Sequence, residues 1–325
     1  GYAAMPERAF LRVSGADATR WLNGMVTNST QALEPGAGNY NFLLNAQGRI
    51  QGDATIFREP GDGASRFLLE TDASQLETIQ TMLDRFIIMD DVELMRVEGL
   101  LGVLVVGPKA LGIVMALGTG NGRAAACVPG GEAVAVESLW LKQTVYGGAT
   151  VWLIRAAGKV VPRFEIWSDA VTIASILGEL GESAAVALSA VTLEWLRLLE
   201  ARPQYGVDIR DRDLPQETAQ THALHFAKGC YLGQEIVERI RSRGQVHRRF
   251  ITFRLQGELP ETLPAVLEAG GKAAGELTSA ALVPLAEGAV LVGLGYARQE
   301  TVEAKLELRY GGGVAVPQRD PLAAG

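Results

Sequence analysis

Lys228-Gly229-Cys230-Tyr231-Leu232-Gly233-Gln234-Glu235 sets a cysteine between two glycines, directly ahead of a helical pattern. Ile236, Val237 and Ile240 fall on one side of that pattern and Glu235 pairs with Arg239 at i,i+4, so the spacing predicts a helix over 235–241. The cysteine then stands just before a helix start. There the helix dipole and Lys228 would both favour the thiolate, the form that attacks electrophiles and binds soft metals. Gly229 and Gly233 let backbone come close to a ligand. A free cysteine is by default a buried, inert residue. Cys127, in an Ala-rich stretch with no charge nearer than Arg123 and Glu132, keeps that default, whereas Cys230 is a candidate functional thiol.

Downstream of this motif the texture becomes all-β. Phe250-Leu255, Ala274-Ser279, Val290-Ala297, Ala304-Tyr310 and Val314-Val316 are short strand-like runs punctuated by Gly and Pro, which predicts a small β-barrel over 250–325. Upstream, helices and strands interleave. A strand at Phe10-Val13 precedes a helix carrying Ala18, Trp21, Leu22 and Met25 on one face. Strands follow at 39–44, 49–57 and 66–70, and Asp72 can cap a helix reaching about Phe86. Further strands are expected at 92–97, 101–106, 149–156 and 163–167, with helices after Pro108, after Asp169 and over 189–201. Strict βαβ alternation is missing. The fold class is therefore α+β, antiparallel sheets with helices, in a body over 1–249 whose second subdomain spans roughly 50–140.

A length of 325 residues suits two or three domains, and 48% apolar with 21% charged residues places the chain in the globular range. No apolar run approaches the ~18 residues of a membrane helix. Gly1-Tyr2-Ala3-Ala4 lacks the features of a signal peptide, and two cysteines are a poor disulfide framework, so a soluble, cytoplasmic protein is expected. The net charge of −7 argues against nucleic acid and anionic lipid. Only the stretch from Lys228 to Arg249 is basic, with Arg239, Arg241, Arg243, Arg248 and Arg249 besides the lysine. It is an ordinary solvated face or an anion site for carboxylates.

The motif resembles the K-G-C-[YF]-x-G-Q-E signature of the folate-binding YgfZ proteins, a family that includes a mitochondrial iron-sulfur assembly factor. Trp21 to Asn28 is similar to that family's F-L-x-x-x-x-T-N segment, and Tyr40 to Asp53 to its Y-x-x-L-L-N-x-x-G-R segment. Pro203-Gln204-Tyr205-Gly206 and Arg241-Ser242-Arg243-Gly244 follow in the expected order. The resemblance implies a relative of the glycine-cleavage aminomethyltransferase (T-protein, GcvT): an α+β body around a central tetrahydrofolate cleft, closed by a C-terminal β-barrel. It also implies maturation or repair of 4Fe-4S enzymes, with Cys230 as the essential thiol and iron-sulfur assembly proteins or client enzymes as partners.

The same resemblance assigns Asp53 to a carboxylate near the reactive edge of the folate, able to act in proton transfer. It assigns Glu165 to the acceptor of the pterin's amino and ring N–H donors, a pairing that suits a carboxylate's two oxygens. Tyr40, Arg197, Gly229, Gly233 and Gln234 complete the expected folate contacts, with Lys228 and Asp53 beside Cys230 in the reacting group. Each carboxylate has a plain alternative as a surface strand residue. One departure stands out: where T-proteins read A-R-D-x-L-R, this chain has Val191-Thr192-Leu193-Glu194-Trp195-Leu196-Arg197, losing the first Arg. His222, His225 and His247 match no compact zinc pattern, so no metal site is expected. A single cysteine cannot hold an iron-sulfur cluster, which normally needs four ligands. The other function open to the chain is a folate-dependent aminomethyl or one-carbon transferase.

Overall fold

The computed structural model describes residues 1–5, 7–61, 63–117, 138–244 and 246–318; Cys127 lies outside them. The chain forms two compact units. The first comprises Gly1–Leu43, Gly52–Ser189 and Ala227–Tyr231, and the second Leu44–Gln51, Ala190–Phe226 and Leu232–Gly325. This division differs from the sequence boundary at 249/250, which falls inside the first barrel strand, Arg248–Gly257.

The first unit is built on strands β1 (Tyr2–Ala4), β2 (Arg8–Ser14), β3 (Ala37–Leu44), β4 (Ile50–Arg58), β5 (Phe67–Asp72), β6 (Glu93–Val97), β7 (Leu101–Val106), β8 (Leu139–Tyr146), β9 (Ala149–Ala156) and β10 (Arg163–Ser168). They form one sheet in the order β1-β7-β10-β9-β8-β3-β4-β5-β2-β6, with antiparallel pairing. Helices α1 (Ala18–Met25) and α2 (Leu76–Asp84) pack on one half. Their Trp21, Leu22, Ile79 and Leu83 join Leu11, Val13, Leu43, Ala54, Ile56, Phe67 and Leu69 in one core. On the other half, α3 (Ala110–Ala116) and α4 (Ala170–Glu182) cover Val103, Val105, Val151, Leu153, Phe164 and Ile166. Asp169 caps α4 as expected, accepting from the backbone N–H groups of Val171 and Thr172.

Strand alternation then fixes what lies on the helix-free face. Arg8, Phe10, Arg12, Tyr40, Asp53 and Glu70 are out of phase with the first core, and Trp152, Glu165 and Trp167 with the second. These faces meet. The Phe10 ring stands edge-on to Trp167 at 4.8 Å and to Trp152 at 5.9 Å, so the sheet folds over on itself around an interior that also contains carboxylates. Gly102 is part of that closure, since a Cβ there would lie 2.4 Å from the Trp167 ring.

The second unit contains a closed barrel of β11 (Arg248–Gly257), β14 (Gly288–Arg298), β13 (Lys272–Leu285), β12 (Ala265–Ala269), β15 (Leu308–Tyr310) and β16 (Gly313–Gln318), in that order. Phe253, Leu255, Leu267, Leu277, Leu308 and Tyr310 fill it. The expected strand over 304–310 is confined to Leu308–Tyr310 and is preceded by α7 (Gln299–Glu303), a helix too short to show a period. Helices α5 (Ala190–Leu199) and α6 (Gln234–Arg243) belong to the same unit. Among the described residues no helix is long and apolar enough to cross a membrane.

Candidate functional site

Asp53 occupies the helix-free face of β4 and is held from both sides. The Tyr40 hydroxyl donates to one carboxylate oxygen at 2.5 Å, and Gln75 Nε2 donates to the other at 2.9 Å. Gln75 also accepts from the Asp53 backbone N–H at 3.1 Å, so a single amide clamps both the main chain and the side chain. Gln75 comes from the turn Ala73–Gln75, which Asp72 caps by accepting from Ser74 N. The sequence does not single it out, since its burial and its bonds to Asp53 are features of the folded chain.

Glu165 lies on β10 and is only 4% exposed. Trp167 Nε1 donates to it at 3.1 Å. Burial, reinforced by the like charge of Glu70, pushes the Glu165 carboxyl up to about 8, against the opposing pull of Arg8, Trp167 and Arg163. Arg8 is bound to Glu70 at 2.7 Å and also feels the charges of Glu165 and Asp53. One guanidinium thus serves three carboxylates on the interior face. Burial works to lower its pKa, and these carboxylates outweigh burial and raise it. Neither Arg8 nor Glu70 was expected. Their signal is charge at alternate positions of strands that are otherwise apolar.

The thiol loop, residues 227–231, belongs to the same unit. Cys230 is exposed with a free thiol, and Tyr231 beside it is buried. The loop's carbonyl at Cys230 runs alongside Gly24 of α1. Lys228 does not spend its donors on the thiol, as the sequence suggested. Its Nζ donates to Val26 O at 2.7 Å and Asn28 O at 2.6 Å and stands 5.1 Å from the centre of the Tyr231 ring. Burial lowers the Lys228 amine to about 7. The helix expected over 235–241 runs from Gln234 with Gly233 as its N-cap, so Cys230 precedes the cap by three residues and lies outside the first turn, where the dipole acts.

Of the remaining expected residues, Gly229 lies in the thiol loop, and Arg197, Gly233 and Gln234 fall in the second unit. Arg197, expected at the folate, has all five N–H donors engaged by protein groups. Two go to Glu194 at 2.7 Å each, one to Arg202 O at 2.9 Å, one to Ser279 Oγ at 2.7 Å and one to Asp208. It ties α5 to β13 and has no donor left for a ligand. Gly233 is required by packing, with φ +81° and a virtual Cβ 2.6 Å from Asn45 O of the 45–48 turn. Gly229 has open space around it and Gln234 opens α6. Among the described residues no group of three His, Cys, Asp or Glu side chains is placed to hold a metal ion.

Residues 7–228 match the protein family described as the GCVT N-terminal domain. The mouse "Iron-sulfur cluster assembly factor IBA57, mitochondrial" is 28% identical over 327 residues, covering 93% of this chain and 78% of the mouse protein. A Mycosarcoma maydis homologue of that factor is 26% identical, and the match covers 79% of this chain and 58% of that longer protein. The aminomethyltransferase of Nostoc sp. PCC 7120 is 24% identical, with coverage of 84% and 70%. In fold, the chain superimposes on the crystal structure of glycine cleavage system aminomethyltransferase T from Bartonella henselae with a TM-score of 0.80. That match spans 99% of this chain and 85% of the other at 21% identity.

Proposed function

This chain belongs to the GCVT N-terminal domain family, and from that premise we propose that it is a tetrahydrofolate-binding factor for maturation or repair of 4Fe-4S enzymes, with Cys230 as its essential thiol. The observation that carries the reading is the exposed Cys230 in the same compact unit as the Asp53 and Glu165 carboxylates. The similarity to iron-sulfur cluster assembly factors supports the cluster role.

The residues fit a folate. A buried carboxyl raised to about 8 is short of donors, and a pterin edge offers two adjacent N–H groups that a carboxylate can accept together. Glu165 would hold that edge, and Asp53, kept in place by Tyr40 and Gln75, would face the one-carbon end. Bound tetrahydrofolate supplies a carrier for one-carbon units. A cluster handled by this protein is cargo: Cys230 contributes one thiolate, and an assembly protein or client enzyme contributes the other ligands. A cytoplasmic location is part of the proposal, checked by fractionation.

Deletion of the gene should lower the activities of several 4Fe-4S enzymes, and Cys230→Ala expressed at normal level should fail to restore them. Normal activities in the deletion strain would reject the reading. A second reading, a folate-dependent aminomethyl or one-carbon transferase, is favoured by the clamped Asp53 and by the likeness to aminomethyltransferases. It requires turnover of an aminomethyl donor with tetrahydrofolate; tight folate binding without turnover counts against it.

A further inference from the structure

Lys228 reaches back some 200 positions in the chain to end on two main-chain carbonyls, those of Val26 and Asn28. The segment that carries them is stitched to β3. Thr27 N donates to Phe42 O at 3.1 Å, Phe42 N to Thr27 Oγ1 at 2.9 Å and Asn28 N to Asn41 Oδ1 at 2.8 Å. Asn28 Nδ2 donates to Tyr40 O at 3.2 Å, and the hydroxyl of the same Tyr40 donates to Asp53. A continuous set of hydrogen bonds therefore runs from the thiol loop to the Asp53 carboxylate. Lys228 is the side chain that ties the thiol loop to this path.

From this arrangement we infer that Lys228 is a positioning residue, whose two donated hydrogen bonds fix the Cys230 loop relative to the Tyr40–Asp53 pair. The alternative roles of this amine fit the geometry less well. Among the described residues no carboxylate forms an ion pair with it, and burial is the cause that brings its pKa to about 7. Near neutrality the amine is thus split between its two forms, and both can do the job: a neutral amine keeps two N–H donors for two carbonyls. As a nucleophile or base it would need its lone pair free and aimed at a ligand. Here its donors point at the backbone and the Tyr231 ring covers another side. This inference deepens the reading of Cys230 as the working thiol, but its test uses neither folate nor clusters.

Amide hydrogen exchange on the full chain compares wild type with Lys228→Met, which keeps length and removes the donors, and Lys228→Arg, which keeps donors in a planar fork. In Lys228→Met, exchange over 26–31 and 227–232 should accelerate together by about tenfold or more, while peptides of the barrel stay unchanged. Lys228→Arg should remain within about threefold of wild type. The second readout is coupling. Asn28→Ala cuts the link to Tyr40, so it should change the rate of Cys230 alkylation by iodoacetamide about threefold in an otherwise wild-type chain and leave it unaltered once Lys228→Met has cut the same path. If Lys228→Met fails to fold, Asn28→Ala in the Lys228→Arg background carries the test, and its effect should match that in wild type. Lys228→Arg behaving like Lys228→Met, or additive effects of Asn28→Ala and Lys228→Met, would overturn the inference. Failure of folate binding or of the deletion phenotype would overturn the proposed function and leave these rates as they are.

Discussion

Replacing Glu165 by glutamine should remove a pH dependence that the buried carboxyl imposes on stability. Unfolded, this carboxyl loses its proton near 4.5; folded, it keeps it to about 8. Between those values the native state holds a proton that the unfolded chain has released, so stability falls as the pH rises through the window and is lowest above 8. At about 1.36 kcal/mol per pH unit the ceiling is about 5 kcal/mol. An amide cannot ionise, and its oxygen can still accept from Trp167 Nε1. The variant should therefore lie within about 1 kcal/mol of wild type near pH 5 and be more stable by several kcal/mol at pH 8.5. Urea unfolding at pH 5, 7 and 8.5 measures this, following tryptophan fluorescence, to which the first unit contributes Trp21, Trp140, Trp152 and Trp167. A constant difference between the two proteins across these pH values would refute the assignment of Glu165 as a buried, largely protonated acid.

Three further outcomes follow from packing. Gly102→Ala should cost about 1–3 kcal/mol in thermal or urea unfolding, because its methyl group would displace the Trp167 ring. Gly233→Ala should destabilise by a similar amount through its left-handed backbone and the Asn45 carbonyl, whereas Gly229→Ala should leave stability within about 0.5 kcal/mol; paired melting curves separate them. Arg197→Met should cost about 3–5 kcal/mol by leaving Asp208 buried without its cation, and calorimetry should find folate affinity of the folded variant unchanged.

Much of the architecture was legible because it is local. Strand alternation, the Asp169 cap and the Gly- and Pro-punctuated barrel strands each follow from a few neighbouring residues. The strand Leu139–Tyr146 was not, since Lys142, Gln143 and Thr144 interrupt its apolar pattern, and pairing with β9 holds it in place. The candidate site divides in the same way. Cys230, Asp53 and Glu165 were singled out through motifs, but their environments depend on contacts far apart in sequence. Arg8 reaches Glu70 across 62 positions and Lys228 reaches Val26 across 202. Arg197 shows the reverse: the family resemblance suggested a ligand contact, while its partner Ser279, 82 residues on, accounts for it as a structural tie. Cys127, expected to be inert, lies outside the described residues.

Calorimetric titration of the full chain with tetrahydrofolate, beside Glu165→Ala, tests the central claim most directly. The account predicts saturable binding by wild type, at least about tenfold weaker in the variant, because a buried donor pair loses its acceptor. It also predicts release of protons on binding near pH 7, since paired N–H donors favour the ionised form of Glu165. No binding by wild type, or equal binding by the variant, would contradict it.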